Sequence, residues 1–343
     1  MVMSFTSIIV SSVFAFVLTY LITPRIKSFL EEAGLVGTDL QKKDKPKIAE
    51  MGGLVVVFGT IAGLFLFIGI NTFLYGQSLS FLQLLAAMLT FLIAGLVGFF
   101  DDLSGLAKAR EGKKGFESYK RVGIRQWKKA LLVIPAAVPL MAIMAGTSTM
   151  TFPLIGQVDI GLIYPLIAIP IAVFGAANAL NMLAGLNGLE AGTGAVLMLF
   201  LGVFSYLHGQ SEAAILAFVT FAALLAFLKY NWYPAKIFPG DSLTYTVGAI
   251  AAAIAIIGNI EKFALMLFAP WFLELFLKAR SKFKAESFGQ LQSDGTLKAP
   301  YPKVYSITHI VMKLGRFKER QISAIIVCSV GLWGILALLV NVL

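Results

Sequence analysis

Of the 343 residues, 58% are apolar and 13% are charged, about half the charged share of an ordinary soluble domain. A water-soluble fold has no means of hiding that much apolar surface, so the chain reads as one integral membrane domain, residues 1–343. The formal charge of +10 reflects cationic loops kept at one membrane face rather than a nucleic-acid partner, and the single cysteine, Cys328 inside an apolar run, excludes disulfide frameworks and thiolate metal sites.

A bilayer core requires roughly 20 apolar residues per helix. Runs of that kind fall in chain order near 4–23, 52–74, 81–100, 129–146, 160–177, 189–207, 212–229, 242–258, 262–278 and 321–342. They predict an all-α, polytopic fold of about ten transmembrane helices. The first run has no basic flank before it and is long enough to span, so it reads as a helix rather than a signal peptide.

The loops between these runs alternate in charge. Lys and Arg number six after the first run, nine between Asp101 and Lys129, two at Lys229 and Lys236, and ten from Lys278 to Arg320; Lys262 stands on the other side. With 27 of 28 basic residues on one face, that face is expected to be cytoplasmic, in a plasma membrane of prokaryotic type, with both termini external. The long segment 278–320 is expected to be a structureless cytoplasmic loop that closes over a substrate.

The polar motifs collect on the same face. Adjacent carboxylates in Gly98-Phe-Phe-Asp101-Asp102 close the third span, where they repel each other and the negative helix end unless a cation compensates; a solvated helix terminus is the plain alternative. Between the fifth and sixth spans, Asn178, Asn181 and Asn187 alternate with Gly185, Gly188 and Gly192, and carboxamides beside glycines suit recognition of a nucleobase edge, although small residues also serve helix packing. Phe238-Pro-Gly-Asp241-Ser242 starts the eighth span with an acid that can cap the helix or hold a metal. Carboxylates near many cations suit a magnesium diphosphate. The middle of the spans is dry, which disfavours a transporter of anionic lipids or nucleotides, and the clustered acids disfavour an inert scaffold.

These motifs, with Gly37-Thr-Asp-Leu40-Gln-Lys and Ile48-Ala-Glu50, stand in an order and spacing that resembles the polyprenyl-phosphate N-acetylhexosamine-1-phosphate transferases, and most closely their dolichyl-phosphate GlcNAc-1-phosphotransferase branch. The resemblance covers nearly the whole chain. It implies transfer of GlcNAc-1-phosphate from UDP-GlcNAc to a polyprenyl phosphate in the bilayer, releasing UMP, as the first step of lipid-linked glycan assembly. It further implies Asn181 and Asp241 as ligands of magnesium, with manganese as a substitute, and Asp101 and Asp102 as the paired aspartates beside the reacting phosphates. Lys129 matches the lysine that holds the diphosphate, and Leu40, Glu50 and Asn187 match positions lining the uridine pocket, with Asn178 grouped among the substrate contacts. The MurNAc-pentapeptide branch carries Asp-Gly-Leu-Asp where this chain has Ala184-Gly-Leu-Asn187, which argues against that substrate. That branch's triple-histidine motif is reduced here to Ile307-Thr-His309. His309, Lys303 and Arg316 are accordingly expected to meet the donor sugar or its phosphates. A homodimer is compatible with the resemblance.

Overall fold

The computed structural model describes residues 5–76, 81–111, 130–152 and 156–342. In chain order these form α1 (Phe5–Glu32), a hairpin of β1 (Val36–Thr38) and β2 (Lys47–Ala49), α2 (Gly53–Phe73) and α3 (Phe81–Glu111). A short helical stretch ending in α4 (Val138–Ala142) and a hairpin of β3 (Thr149–Phe152) and β4 (Gly156–Asp159) lead to α5 (Ile169–Met182), α6 (Leu189–Leu207), α7 (Ser211–Asn231) and α8 (Gly240–Ile257). The chain finishes with α9 (Glu261–Leu267), α10 (Ala269–Ala279), β5 (Gln290–Leu291), β6 (Thr296–Lys298), α11 (Ile307–Leu314), β7 (Phe317–Lys318) and α12 (Glu319–Val342).

Among the described residues, eight helices are long and apolar enough to cross a bilayer, and they coincide with eight of the ten expected runs. The other two, 129–146 and 262–278, are helical but interrupted. Pro135 and Pro139 stand in the first, and Pro270 stands at the break between α9 and α10. Proline lacks the N–H that a continuous helix needs and its ring crowds the preceding turn.

The core centres on α8, where every residue from Ser242 to Ile257 is buried. Its small side chains, among them Thr244, Ala249 and Ala251 to Ala253, let α2, α3, α5, α6 and α7 pack around it. Between helices in lipid, close backbone approach and dispersion contacts replace the hydrophobic drive available in water. The outer helices expose apolar side chains, such as Val13 and Leu21 on α1 and Leu332 and Leu336 on α12, as surfaces meeting acyl chains do.

The segment 278–320 is folded, which corrects the expectation of a structureless loop. Strands β5, β6 and β7 form an antiparallel sheet in that order, with α11 packed on β6. Ser306 caps α11 by accepting from the Thr308 N–H, and the buried Glu274 carboxylate of α10 accepts from the Ile307 N–H at 2.7 Å. Lys278 bonds the Ala285 carbonyl at 3.0 Å and the Ser287 hydroxyl at 2.7 Å, and the Thr308 hydroxyl donates to the Ser287 carbonyl at 2.7 Å. Buried polar groups require such partners, so this network holds the segment in one shape.

Candidate active site

One end of the bundle gathers the acids. Asp101 and Asp102 lie within α3, not at its end, because Leu103, Ala107 and Ala109 continue the helix beyond the apolar stretch. The helix-terminus repulsion expected from the sequence therefore does not arise, and burial is what sets this pair apart: Asp101 is 8% and Asp102 5% exposed. Asp102 Oδ2 accepts from the Ser242 N–H at 3.3 Å, which puts a carboxylate against the positive end of α8.

Two glycines make that approach feasible. A Cβ on Gly98 would overlap the Asp241 carbonyl, so α3 meets the start of α8 backbone to backbone. Gly240 has φ +68°, in the left-handed region, and a Cβ there would overlap Asp102 Oδ2. Asp241 sits in the first turn of α8 without capping it, since the N-cap is Pro239 and makes no side-chain cap bond. Asp241 is therefore not the N-cap residue of α8. Tyr245, one turn on, is wholly buried with its hydroxyl beside the Asn181 side chain and in the field of both Asp101 and Asp102. Asn181 of α5 thereby joins the acids of α3 and α8.

The β1–β2 hairpin builds the adjoining wall. The Phe238 N–H donates to the Ala49 carbonyl at 2.8 Å, while the N–H groups of Gly52 and Gly53 donate to the carbonyls of Phe238 and Pro239 at 2.9 and 2.8 Å. The stretch that carries Glu50 is thus laced to the stretch that ends in Gly240-Asp241. Glu50 is buried against Gly37, and Leu40 is half exposed at the hairpin's connection.

Asn187 faces that connection with its amide in use. Its Nδ2 donates to Asp39 Oδ2 at 3.3 Å, its Oδ1 accepts from the Ala235 N–H at 2.7 Å, and its own N–H donates to Glu319 Oε1 at 2.8 Å. Lys42 bridges Glu319 and Asp39, the latter at 3.1 Å, and lies 4.3 Å from the centre of the Tyr233 ring. Burial opposes the Lys42 charge, but Glu319 and Asp39 outweigh it and hold the ammonium above its ordinary range. Gln41 donates to the Gly185 carbonyl at 3.0 Å and accepts from the Gly289 N–H at 3.1 Å, and Glu190 accepts from the Gly185 N–H at 2.8 Å.

Sequence reasoning gave no site role to Asp39, Gln41, Lys42, Glu190 or Glu319. Gln41 and Lys42 belong to the quoted Gly37-to-Lys42 motif, which was a usable signal; Glu319 stands between Lys318 and Arg320 and carried none.

The remaining expected residues divide. Asn178 gives its amide to the carbonyls of Phe174 at 2.8 Å and Ala130 at 3.4 Å, so it ties α5 to the residues after Lys129. Lys129 itself lies outside the described residues. His309 is fully buried inside the folded segment, its Nδ1 accepting from the Tyr305 N–H at 3.3 Å and its ring beside Tyr301. Burial, then the charges of Lys278 and Lys313, push the imidazole down to about 4. It is therefore a neutral group packed in the segment's interior, and a direct sugar contact does not follow from its position. Lys303 is exposed, and Arg316 is exposed and pairs with Asp294 at 2.6 Å.

The donor chemistry is that of hard oxygen ligands. Among the described residues, no three His, Cys, Asp or Glu side chains form a ready-made cage for a metal. Magnesium does not need one. It keeps several waters and shares phosphate oxygens, with one or two protein oxygens completing its shell, so a carboxylate with a carboxamide fits.

Comparison with known proteins gives a consistent set. Residues 84–259 match glycosyl transferase family 4. A Saccharolobus solfataricus protein provisionally named UDP-N-acetylglucosamine–dolichyl-phosphate N-acetylglucosaminephosphotransferase is 35% identical over 98% of this chain and 95% of its own. The Dictyostelium discoideum protein of that name is 26% identical over 95% of this chain and 86% of its own. A Clostridium perfringens phospho-N-acetylmuramoyl-pentapeptide-transferase is 32% identical, over 64% of this chain and 61% of its own.

Proposed function

The chain belongs to glycosyl transferase family 4, and from that membership and the geometry above we propose that it transfers N-acetylglucosamine 1-phosphate from UDP-GlcNAc to a polyprenyl phosphate of the dolichyl type, releasing UMP. The observation that carries the reading is the convergence, at one end of the bundle, of Asp101 and Asp102 from α3, Asn181 from α5 and Asp241 from α8. An acceptor phosphate oxygen attacks the β-phosphorus of the donor, and the bond from that phosphorus to the UMP oxygen breaks. Near neutral pH a polyprenyl phosphate is already ionised, so the acceptor attacks directly and no covalent enzyme intermediate is needed.

In this reading Asn181 and Asp241 hold magnesium, which when bound neutralises charge developing on the diphosphate. Asp102, fixed by the Ser242 N–H, and Asp101 orient the acceptor. Lys129 contributes a cation to the donor phosphates. Leu40, Glu50 and the Asn187 loop wall the uridine side, with Asn187 acting through the chain segments it joins. The face carrying the site is cytoplasmic, the interrupted helices at 130–142 and 261–279 bring the crossings to ten, and both termini are external. The basic loops support that orientation. The transporter alternative gains nothing from the relatives.

The test is incubation of purified protein with UDP-GlcNAc, a polyprenyl phosphate and magnesium, across a panel of UDP-sugars. UMP and a lipid-linked diphosphate sugar are expected, with UDP-GlcNAc preferred. Release of UDP would mean transfer of the sugar alone and would overturn the reading.

A further inference from the structure

The cytoplasm-facing end of α10 carries a second polar feature, separate from the acids. Arg280, Ser281, Lys282, Lys284, Tyr301 and Tyr305 line a cavity of about 430 Å³. Its three cations are exposed, whereas the neighbouring Lys278 is buried and engaged with Ala285, Ser287 and Glu274.

The backbone around this cavity is unusual. Lys282 and Phe283, consecutive and not glycine, have φ of +52° and +58°. A residue with a Cβ is strained in the left-handed region, where that atom crowds the following carbonyl oxygen. The strained turn is pinned, because the N–H groups of Ser281 and Phe283 both donate to the Lys278 carbonyl at 3.0 Å and the Ser281 hydroxyl accepts from the Ala285 N–H at 3.2 Å. Strain held in place by hydrogen bonds marks a position where a particular side-chain arrangement is being kept.

The cavity continues a lipid-facing stripe. Phe272 and Phe276 on α10 and Arg280 at its C-cap, still in helical conformation, are spaced four apart and so share one face. Phe272 and Phe276 are 51% and 65% exposed, and Phe283 beyond them is 44% exposed. Acyl chains lying along those phenylalanines would deliver a headgroup to Arg280, and tyrosines at that depth are suited to the interface between hydrocarbon and water.

We propose that this cavity binds the phosphate headgroup of an anionic phospholipid, whose acyl chains lie on the Phe272–Phe276 face. Clustered basic residues next to a membrane helix attract anionic lipids, and guanidinium and ammonium groups give phosphate oxygens charge-assisted hydrogen bonds.

The experiment is native mass spectrometry of the full chain released from nanodiscs of phosphatidylcholine and phosphatidylglycerol in equal parts. Wild type should retain one phosphatidylglycerol in preference to phosphatidylcholine. Arg280→Gln/Lys282→Gln/Lys284→Gln should lower that occupancy by about tenfold or more, and Arg280→Gln alone should lower it less. Lys43→Gln/Lys45→Gln/Lys47→Gln, which removes exposed charge elsewhere on the same face, should leave it unchanged. Equal retention in the Arg280 triple variant and wild type, or no preference over phosphatidylcholine, would overturn the proposal. Displacement of the lipid by inorganic phosphate at equal concentration would overturn it too, by showing that the cavity takes phosphate without the acyl chains.

Discussion

At the scale of single residues, Asp241 and His309 make opposite predictions. Asp241 stands half buried in the first turn of α8, where Pro239 is the N-cap residue, so Asp241→Ala should cost turnover far more than thermal stability in detergent. Turnover should fall by about 100-fold or more, the size of effect expected when charge neutralisation at a transferring phosphoryl group is lost. A variant with wild-type turnover at saturating magnesium would remove Asp241 from the metal. His309 instead predicts a stability effect with pH. The imidazole takes its proton near 6.5 when unfolded and only at about 4 when folded. Between those values the unfolded chain binds more protons, so stability is complete above about pH 6.5 and declines as pH falls toward 4. His309→Gln should flatten this decline in unfolding midpoints measured from pH 7 to pH 5, while KM for UDP-GlcNAc stays near wild type. A large rise in KM with no change in the pH slope would restore His309 to the sugar site.

At the scale of elements, the site depends on how closely α3 meets the start of α8. Gly240→Ala puts a side chain into a backbone at φ +68° and into the space of Asp102 Oδ2. The strain alone is about 1–2 kcal/mol, and the displaced carboxylate should reduce turnover far more than the melting temperature records. Normal kinetics in Gly240→Ala would show that the contact between Asp102 and α8 is not needed. The Lys42 bridge makes a second prediction at this scale. Glu319 is almost wholly buried and Asp39 nearly so, and Lys42→Met leaves both acids facing each other without their cation. Because Lys42 is itself partly accessible, the loss should be about 2 kcal/mol, below the range for a fully buried pair. Lys42→Met/Glu319→Gln should recover part of it, and additivity of the two single changes in unfolding experiments would argue against a coupled network.

At the scale of the molecule, the hairpin, the loop before α6, the stretch before α8 and the folded segment after α10 are joined by Asn187, Gln41 and Lys42. The four pieces therefore form one cap over a single membrane face. In a Cys328→Ser background, a cysteine placed at Asp44 or Ser293 should react in intact cells only with a membrane-permeant maleimide. One placed at Gln210 or Asn259, at the opposite ends of the helices, should react with an impermeant reagent. Labelling of Asp44 and Gln210 from the same side would break the assigned topology.

Much of this was legible in the residues. Apolar run length located the eight long helices, since bilayer thickness sets that length directly, and the clustering of acids and amides at run ends placed Asp101, Asp102, Asn181 and Asp241 on one face. What sequence could not supply depends on contacts distant in the chain. The pairing of Lys42 with Glu319 spans 277 positions and has no local signature. The order within 278–320 comes from Glu274, Lys278 and Ser287 meeting α11, and residues 281–300 contain too few apolar positions to announce a folded unit. His309 looked like a ligand because a histidine in a basic loop is ordinarily wet; only tertiary packing decided that this one is dry. Run length and charge are local properties written residue by residue, whereas burial and partnership belong to the packed chain and were decided there.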